Sequence, residues 1–143
     1  MKGGKTVIAF VEDLSGYKWE LLQRTETPEP LCQVMLRVSN LDASVKFYET
    51  LGMSKVRERD TPEHQYSLAF MGYGPEETSA VMELTYNYGK SGYTLGNGAY
   101  SHVALSTTDL ERTAAELGGK IDEISGGITV VDPDGWKVQF IRC

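Results

Sequence analysis

The sequence predicts an α+β fold assembled from repeated units, in which one strand and one helix are followed by three further strands. Three observations support this prediction. Two segments match each other in register, each runs into an amphipathic helix, and short strand-like runs separated by turns follow each helix. A further fragment at the start of the chain matches the end of such a unit, so the 143 residues hold about two and a half repeats.

The two matching segments comprise residues 33–41 and 102–110. In each, alternating apolar residues are followed by a polar turn, and apolar residues then recur at helical spacing. The predicted helices end before Gly52 and Gly118, because glycine most readily adopts the left-handed backbone found just past a helix end. Strand followed by helix therefore occurs twice.

Each predicted helix leads into three expected strands. Thr108 and Glu111 have the spacing of a capping box, which predicts that Thr108 caps the second helix. The two units span residues 31–89 and 101–143. The expected strands lie at about 53–59, 66–73 and 80–87 in the first unit and at about 120–124, 127–131 and 136–141 in the second.

The start of the chain resembles the end of the second unit. Residues 13–20 parallel residues 132–139, since both consist of a turn followed by a strand that begins with aromatic residues. Residues 1–24 are therefore predicted to be the closing hairpin of an incomplete preceding module. A proline-containing linker at 25–30 then leads into the domain at 31–143.

Composition narrows the class of partner. A formal net charge of -6 argues against binding to nucleic acid or to an anionic membrane surface, and no apolar run approaches the length of a membrane helix. Cys32 and Cys143 lack the spacing of a metal motif and are too few for a disulfide framework, which favours a reducing, cytoplasmic setting. A small-molecule partner is expected.

Polar residues occupy strand positions in every repeat. Because side chains alternate across a strand, Gln33 and Arg37 face away from Leu36, and Glu83 and Asn87 repeat this arrangement. Any one of these taken alone is most simply a half-exposed strand residue. Their recurrence at equivalent places favours ligands of a divalent cation. The candidate donors on first and last strands are Gln33, Glu83, His102, Gln139 and Glu20.

Several stretches resemble the glyoxalase I family of the vicinal oxygen chelate superfamily. They are residues 33–38, 47–53, 71–76 and 83–89, and the likeness covers nearly the whole chain. The resemblance implies a vicinal oxygen chelate fold and one divalent ion per site, Zn²⁺ or Ni²⁺. It also implies lactoylglutathione lyase activity, in which the hemithioacetal of methylglyoxal and the co-substrate glutathione is isomerised to S-lactoylglutathione.

The resemblance also implies roles for single residues. Arg37 and Asn87 match positions that hold glutathione, which argues against other enzymes or drug-binding proteins of the superfamily. Gln139 stands where the family has a glutamate that is also implicated as the base, and a neutral amide cannot accept that proton. Glu20 is the carboxylate at the equivalent position of the front hairpin, so Glu83 and Glu20 are the catalytic candidates. The implied metal ligands are Gln33, Glu83, His102 and Gln139.

Family sites are built between two modules, which leaves two arrangements open. Gln33 and Glu83 are expected to share a site with Glu20 that lacks the histidine of the family, or, in a homodimer, to share one with His102 and Gln139 of a second copy. The first arrangement implies pairing with a missing N-terminal domain, which would permit an organellar location if that domain carries a transit peptide. The alternative to an active enzyme is an impaired or non-catalytic half-domain that binds ligand or supports a sister domain.

Overall fold

The computed structural model describes residues 7–25, 30–95 and 99–143. Three separate sheets account for the strands of these ranges, and each of the two larger sheets has one α-helix between its first and second strands in the chain. Residues 1–6 of the predicted front segment and residues 26–29 of the predicted linker lie outside the described residues. None of the described helices is long and apolar enough to cross a lipid bilayer.

The first repeat forms a four-stranded sheet with one covering helix, as predicted. Asn40 caps the helix through its side-chain oxygen, which accepts the Ala43 amide at 3.0 Å, and Gly52 after the helix has φ +85°. The elements are β3 (Gln33–Arg37), α1 (Leu41–Thr50), β4 (Ser54–Thr61), a short 3₁₀ turn (Pro62–His64), β5 (Tyr66–Gly72) and β6 (Val81–Asn87). The strand order is β3-β6-β5-β4, with β3 and β6 parallel and the other pairs antiparallel.

The second repeat has one strand fewer than predicted. The expected strand at 120–124 is wrong, because this segment is a turn organised by Asp122. The Asp122 carboxylate accepts the amides of Ile124 and Ser125 at 3.1 and 2.7 Å, which satisfies these amides locally instead of in a ladder. The three-stranded sheet has the order β7-β9-β8. Its elements are β7 (Val103–Thr107), α2 (Leu110–Leu117), β8 (Ile128–Val131) and β9 (Lys137–Arg142).

The cap of α2 is Asp109, so the predicted capping role of Thr108 is wrong. The Asp109 carboxylate accepts the Arg112 amide at 2.9 Å, and its negative charge suits the N-terminus of a helix. Gly118 ends the helix with φ +61°, as the sequence predicted.

The front segment forms a two-stranded hairpin of β1 (Ile8–Glu12) and β2 (Lys18–Leu22). Its turn has the same hydrogen bonds as the turn between β8 and β9. In each, an aspartate carboxylate, Asp13 or Asp132, accepts the amides two and four residues further on at 2.8 to 3.0 Å. The predicted likeness of the two hairpins is therefore confirmed at the level of the turn.

Both larger sheets bury one face in a single apolar cluster. Leu84 of the first sheet and Val138 of the second are fully buried in it, together with Tyr48 of α1 and Leu110 of α2. Because this cluster joins the two repeats, each supplies part of the surface that stabilises the other. The polar faces of both sheets are consequently directed away from the shared core.

Leu84→Ala is expected to lower the free energy of unfolding by about 2–5 kcal/mol, because it removes a fully buried side chain and leaves a cavity. Leu21→Ala, on a hairpin strand where the side chain is 53% exposed, is the matched control and should change stability by less than about 0.5 kcal/mol. Urea unfolding of the two variants measures both. Equal losses would contradict the assignment of the core.

Candidate metal and substrate site

The polar face of the first sheet carries most of the predicted site residues. Met35 is paired with Glu83 in the parallel β3–β6 ladder, and Arg37 with Thr85, so these residues share one face. Leu36 and Leu84, their neighbours along the strands, are buried in the core on the other face. The structure therefore brings one group of predicted residues together on β3 and β6, and its members are Gln33, Arg37, Glu83 and Asn87.

An apolar floor lies on this polar face, formed by Leu68, Phe70 and Val81 with Tyr66 packed against them. Phe70 is paired with Glu83 across the β5–β6 ladder, which places the floor beside the carboxylate. These residues were not predicted from the sequence. The alternation of Tyr66, Leu68 and Phe70 along β5 was the available signal.

Two arginines of β4 cover the floor. The guanidinium carbon of Arg57 lies 3.6 Å from the centroid of the Phe70 ring, and its Nε and Nη2 donate to the Glu76 carboxylate at 3.1 and 2.9 Å. The Nη2 of Arg59 donates to the Tyr66 hydroxyl at 3.2 Å. Because both guanidinium groups are always charged, they bring positive potential to this face. These arginines were also missed from the sequence.

Glu83 is half-buried, and its surroundings shift the pKa of its carboxyl in opposite directions. Burial raises the pKa of its carboxyl above the usual value, and the charge of Glu20 raises this pKa further. The Thr85 hydroxyl, which donates to Glu83 Oε1 at 3.2 Å, lowers the pKa, as do the charges of Arg57 and Arg59. Desolvation is the largest of these effects.

Two observations connect the front hairpin to the first repeat. Glu20 of β2 is close enough for its charge to act on Glu83. Just after β2, the Arg24 Nη2 donates to the carbonyl of Glu76 at 2.8 Å. The structure thus brings two of the predicted carboxylates, Glu20 and Glu83, to one neighbourhood.

His102 and Gln139 belong to the second sheet. His102 is exposed immediately before β7, with its Nδ1 2.9 Å from the Ser101 hydroxyl. Gln139 is half-buried in β9, and a Cβ atom at Gly127 would lie 3.1 Å from its side chain. A Cβ at Gly127 would also lie 2.7 Å from the Phe140 carbonyl oxygen, so glycine allows close approach to both the backbone of β9 and the Gln139 side chain.

The candidate donors of the first sheet and of the front hairpin fit a divalent cation by their chemistry. A carboxylate at Glu83, a second at Glu20 and the amide oxygen of Gln33 are donors that zinc and nickel accept. A cation there would also offset the repulsion by which Glu20 raises the pKa of Glu83. Within residues 7–25, 30–95 and 99–143, no group of three or more His, Cys, Asp or Glu side chains is placed to hold a metal.

Glu20→Gln is expected to lower the pKa of Glu83 in the metal-free chain, because it removes a negative charge that disfavours ionisation of that carboxyl. An NMR titration of the Glu83 side chain measures the change. Glu12→Gln, on the adjacent strand and nearer the turn, is the control and should leave the pKa of Glu83 where it was, because Glu12 is not among the charges that shift it. An unchanged titration in both variants would show that the two carboxylates are not neighbours.

The chain is similar to known proteins in sequence and in fold. The chain is 55% identical, over 99% of its length and 43% of the relative's, to a probable chloroplastic lactoylglutathione lyase of Arabidopsis thaliana. It is 43% identical to a lactoylglutathione lyase of Salmonella typhimurium, over 78% of this chain and 91% of that protein. The crystal structure of glyoxalase I from Zea mays superimposes with a TM-score of 0.87 at 48% identity, over 99% of this chain and 56% of that one.

The chain spans about half the length of the curated plant relatives it matches. The expected vicinal oxygen chelate fold is confirmed by the superposition with the Zea mays structure. The family model of the glyoxalase/bleomycin resistance protein/dioxygenase superfamily matches residues 31–140, which is most of the chain. With both repeats inside that match, the chain belongs to this superfamily.

Proposed function

We propose that this chain acts in a metal-dependent lactoylglutathione lyase, which isomerises the hemithioacetal of methylglyoxal and glutathione to S-lactoylglutathione. The observation that supports this most directly is the half-buried Glu83 carboxylate, with Gln33 and Arg37 on the same sheet face and the charge of Glu20 near enough to act on it. The names of the Arabidopsis thaliana and Salmonella typhimurium relatives favour the same activity.

Gln33, Glu83 and Glu20 would hold the cation in this proposal. Zn²⁺ or Ni²⁺ bound there would polarise the substrate oxygens as a Lewis acid and offset the negative charge that develops when a proton leaves carbon. The half-buried position of Glu83 favours this role, because a carboxylate that is partly desolvated interacts more strongly with a cation.

Glu20 would move the proton. In the isomerisation a base takes the proton from C1 of the hemithioacetal and returns it to C2, so no net proton is gained or lost. Glu20 is exposed on the hairpin, and its carboxylate can reach a bound substrate without first leaving a core. Gln139, on the second sheet, cannot accept a proton in this way because its side chain is a neutral amide.

Arg37 and Asn87 would bind the glutathione part of the substrate. Arg37 is exposed and paired with Thr85, and Asn87 follows Thr85 by two residues, about 7 Å further along the same face. A guanidinium and an amide at this separation suit the carboxylate and amine of the glutamyl group.

The front hairpin would be the closing part of a preceding module, and residues 31–143 the following domain. Val11, Trp19 and Leu21, which share one face of the hairpin, are 46%, 51% and 53% exposed, whereas Val138 and Phe140 of the matching hairpin β8–β9 are 0% and 5% exposed. The difference arises because β9 pairs with β7 in a sheet whose one face is buried in the core. An N-terminal domain that supplies such a strand and helix would cover the exposed side chains, so it is the proposed partner, ahead of a homodimer.

His102 and Gln139 would belong to a second, separate site. In that site Gln139 stands in place of the glutamate that the family resemblance implies. This favours a ligand-binding or supporting role for the second sheet over a catalytic one. The unpaired Cys32 and Cys143 fit a reducing compartment, either the cytoplasm or an organelle.

Glu20→Gln is expected to lower turnover by about 10²–10⁴-fold, which is the usual contribution of a general base. Formation of S-lactoylglutathione by the chain loaded with Zn²⁺ or Ni²⁺ measures it. Gln139→Glu should leave turnover unchanged, and Glu12→Gln controls for charge on the hairpin. A rise in turnover on Gln139→Glu, with Glu20→Gln silent, would contradict the proposal and favour a site shared by two copies of the chain.

Arg37→Ala is expected to raise the KM for the hemithioacetal by about tenfold or more, because it removes a charge-assisted contact to the substrate. Bound metal, measured by elemental analysis, should stay the same because Arg37 is not a ligand. Arg142→Ala on the second sheet removes a comparable exposed arginine and should leave KM unaltered. Loss of metal on Arg37→Ala would show that the role assigned to this residue is wrong.

A further inference from the structure

The turn between β8 and β9 makes two hydrogen bonds to the end of β3. The indole Nε1 of Trp136 donates to the Arg37 carbonyl at 2.8 Å, and the Ser39 amide donates to the Asp134 carboxylate at 2.9 Å. Between these two bonds lies Val38, which is fully buried. The second repeat therefore holds the first at the residue proposed to bind the substrate carboxylate.

These bonds fall on the free edge of β3. The Val38 amide donates to the Thr85 carbonyl at 3.0 Å, so the polar groups of Val38 point toward β6. Since successive residues of a strand point their amides and carbonyls to opposite edges, those of Arg37 and Ser39 point away from β6. The turn thus satisfies the edge of the strand as a neighbouring strand would.

The turn itself is tightly constrained. Asp132 is only 5% exposed, and its carboxylate accepts the amides of Asp134 and Trp136 at 2.9 and 2.8 Å. Gly135 has φ +94°, a conformation that favours glycine. The ring of Tyr100 packs edge-on against Trp136 with the centroids 4.9 Å apart, so the indole is held from a second side.

We propose that Trp136 and Asp134 are positioning residues for substrate binding, which fix the backbone at Arg37 so that its exposed side chain is directed over the polar face of the first sheet. This rests on the proposed function, in which Arg37 binds the glutathione part of the substrate. A long side chain loses rotamer freedom on binding, and a fixed backbone limits that loss to the side chain alone. The second repeat then sets the affinity of a site to which it contributes no ligand.

The test is binding of S-methylglutathione, a non-reacting probe, to the Zn²⁺-loaded full chain by isothermal titration calorimetry. Trp136→Phe keeps an aromatic ring and removes the indole N–H, so the dissociation constant should rise about fivefold. Trp19→Phe, which removes the indole N–H that donates to the Asp13 carboxylate at 3.2 Å in the other hairpin, is the matched control and should leave the dissociation constant unchanged.

A double-mutant cycle separates positioning from general destabilisation. In an Arg37→Ala background, Trp136→Phe should have no further effect on probe binding, because the group it positions is gone. If Trp136→Phe weakens folding too far, Asp134→Ala takes its place and should weaken binding similarly, whereas Asp134→Asn keeps an oxygen acceptor and should bind as the wild type does.

The outcomes are distinguishable. Wild-type binding that is equally tight in Trp136→Phe and Asp134→Ala overturns the positioning role and leaves the proposed function intact. An equal weakening by Trp136→Phe with and without Arg37 also overturns it. No binding by the wild type overturns the proposed function and this proposal together.

Discussion

Each of the two larger sheets buries one face against its helix. Because side chains alternate along a strand, this determines which residues lie on the opposite face. Leu36 and Leu84 are committed to the shared core, so strand alternation leaves the opposite face to Arg37 and Glu83. A shift of β3 by one residue against β6 would exchange the two sets and bury a guanidinium among apolar side chains. The core thus specifies the register, and the register determines which polar groups meet on the outer face.

That outer face keeps a carboxylate partly out of water, which is unfavourable unless other groups compensate. Thr85 and the two arginines of β4 offset part of the cost for Glu83, while Glu20 adds to it. Arg57 is already engaged by Glu76 and by the Phe70 ring, so its charge is shared. The balance left at Glu83 favours a positive partner, which is why the electrostatics of this face suit a cation as well as an anionic substrate.

The repeat, both helices, and the strands of the first unit could be predicted from the sequence because their signals are local: period, capping and glycine at helix ends. The predicted strand at 120–124 is absent because the Asp122 carboxylate accepts the nearby amides in a turn. The spacing of apolar residues does not show that a side chain competes with the strand for these amides. Asp109 and not Thr108 caps α2 for a similar reason, because two residues that are able to cap a helix are adjacent in the sequence. The contacts of Arg57 and Trp136 could not be predicted from the sequence, because their partners lie 19 and 99 residues away and no local pattern indicates them.

The two hairpins separate what a local sequence determines from what its surroundings add. Asp13 and Asp132 build the same turn, so turn geometry is encoded within a few residues. The indoles that follow differ in their bonds: Trp19 donates back to the Asp13 carboxylate at 3.2 Å, whereas Trp136 reaches across to the other repeat. An indole N–H near such a turn can therefore donate to its own hairpin or to another repeat. Which of the two it does depends on the strand that lies next to the turn. Where that strand is β3, the link ends at Arg37, and the stability of the module interface becomes coupled to the geometry of the proposed substrate site.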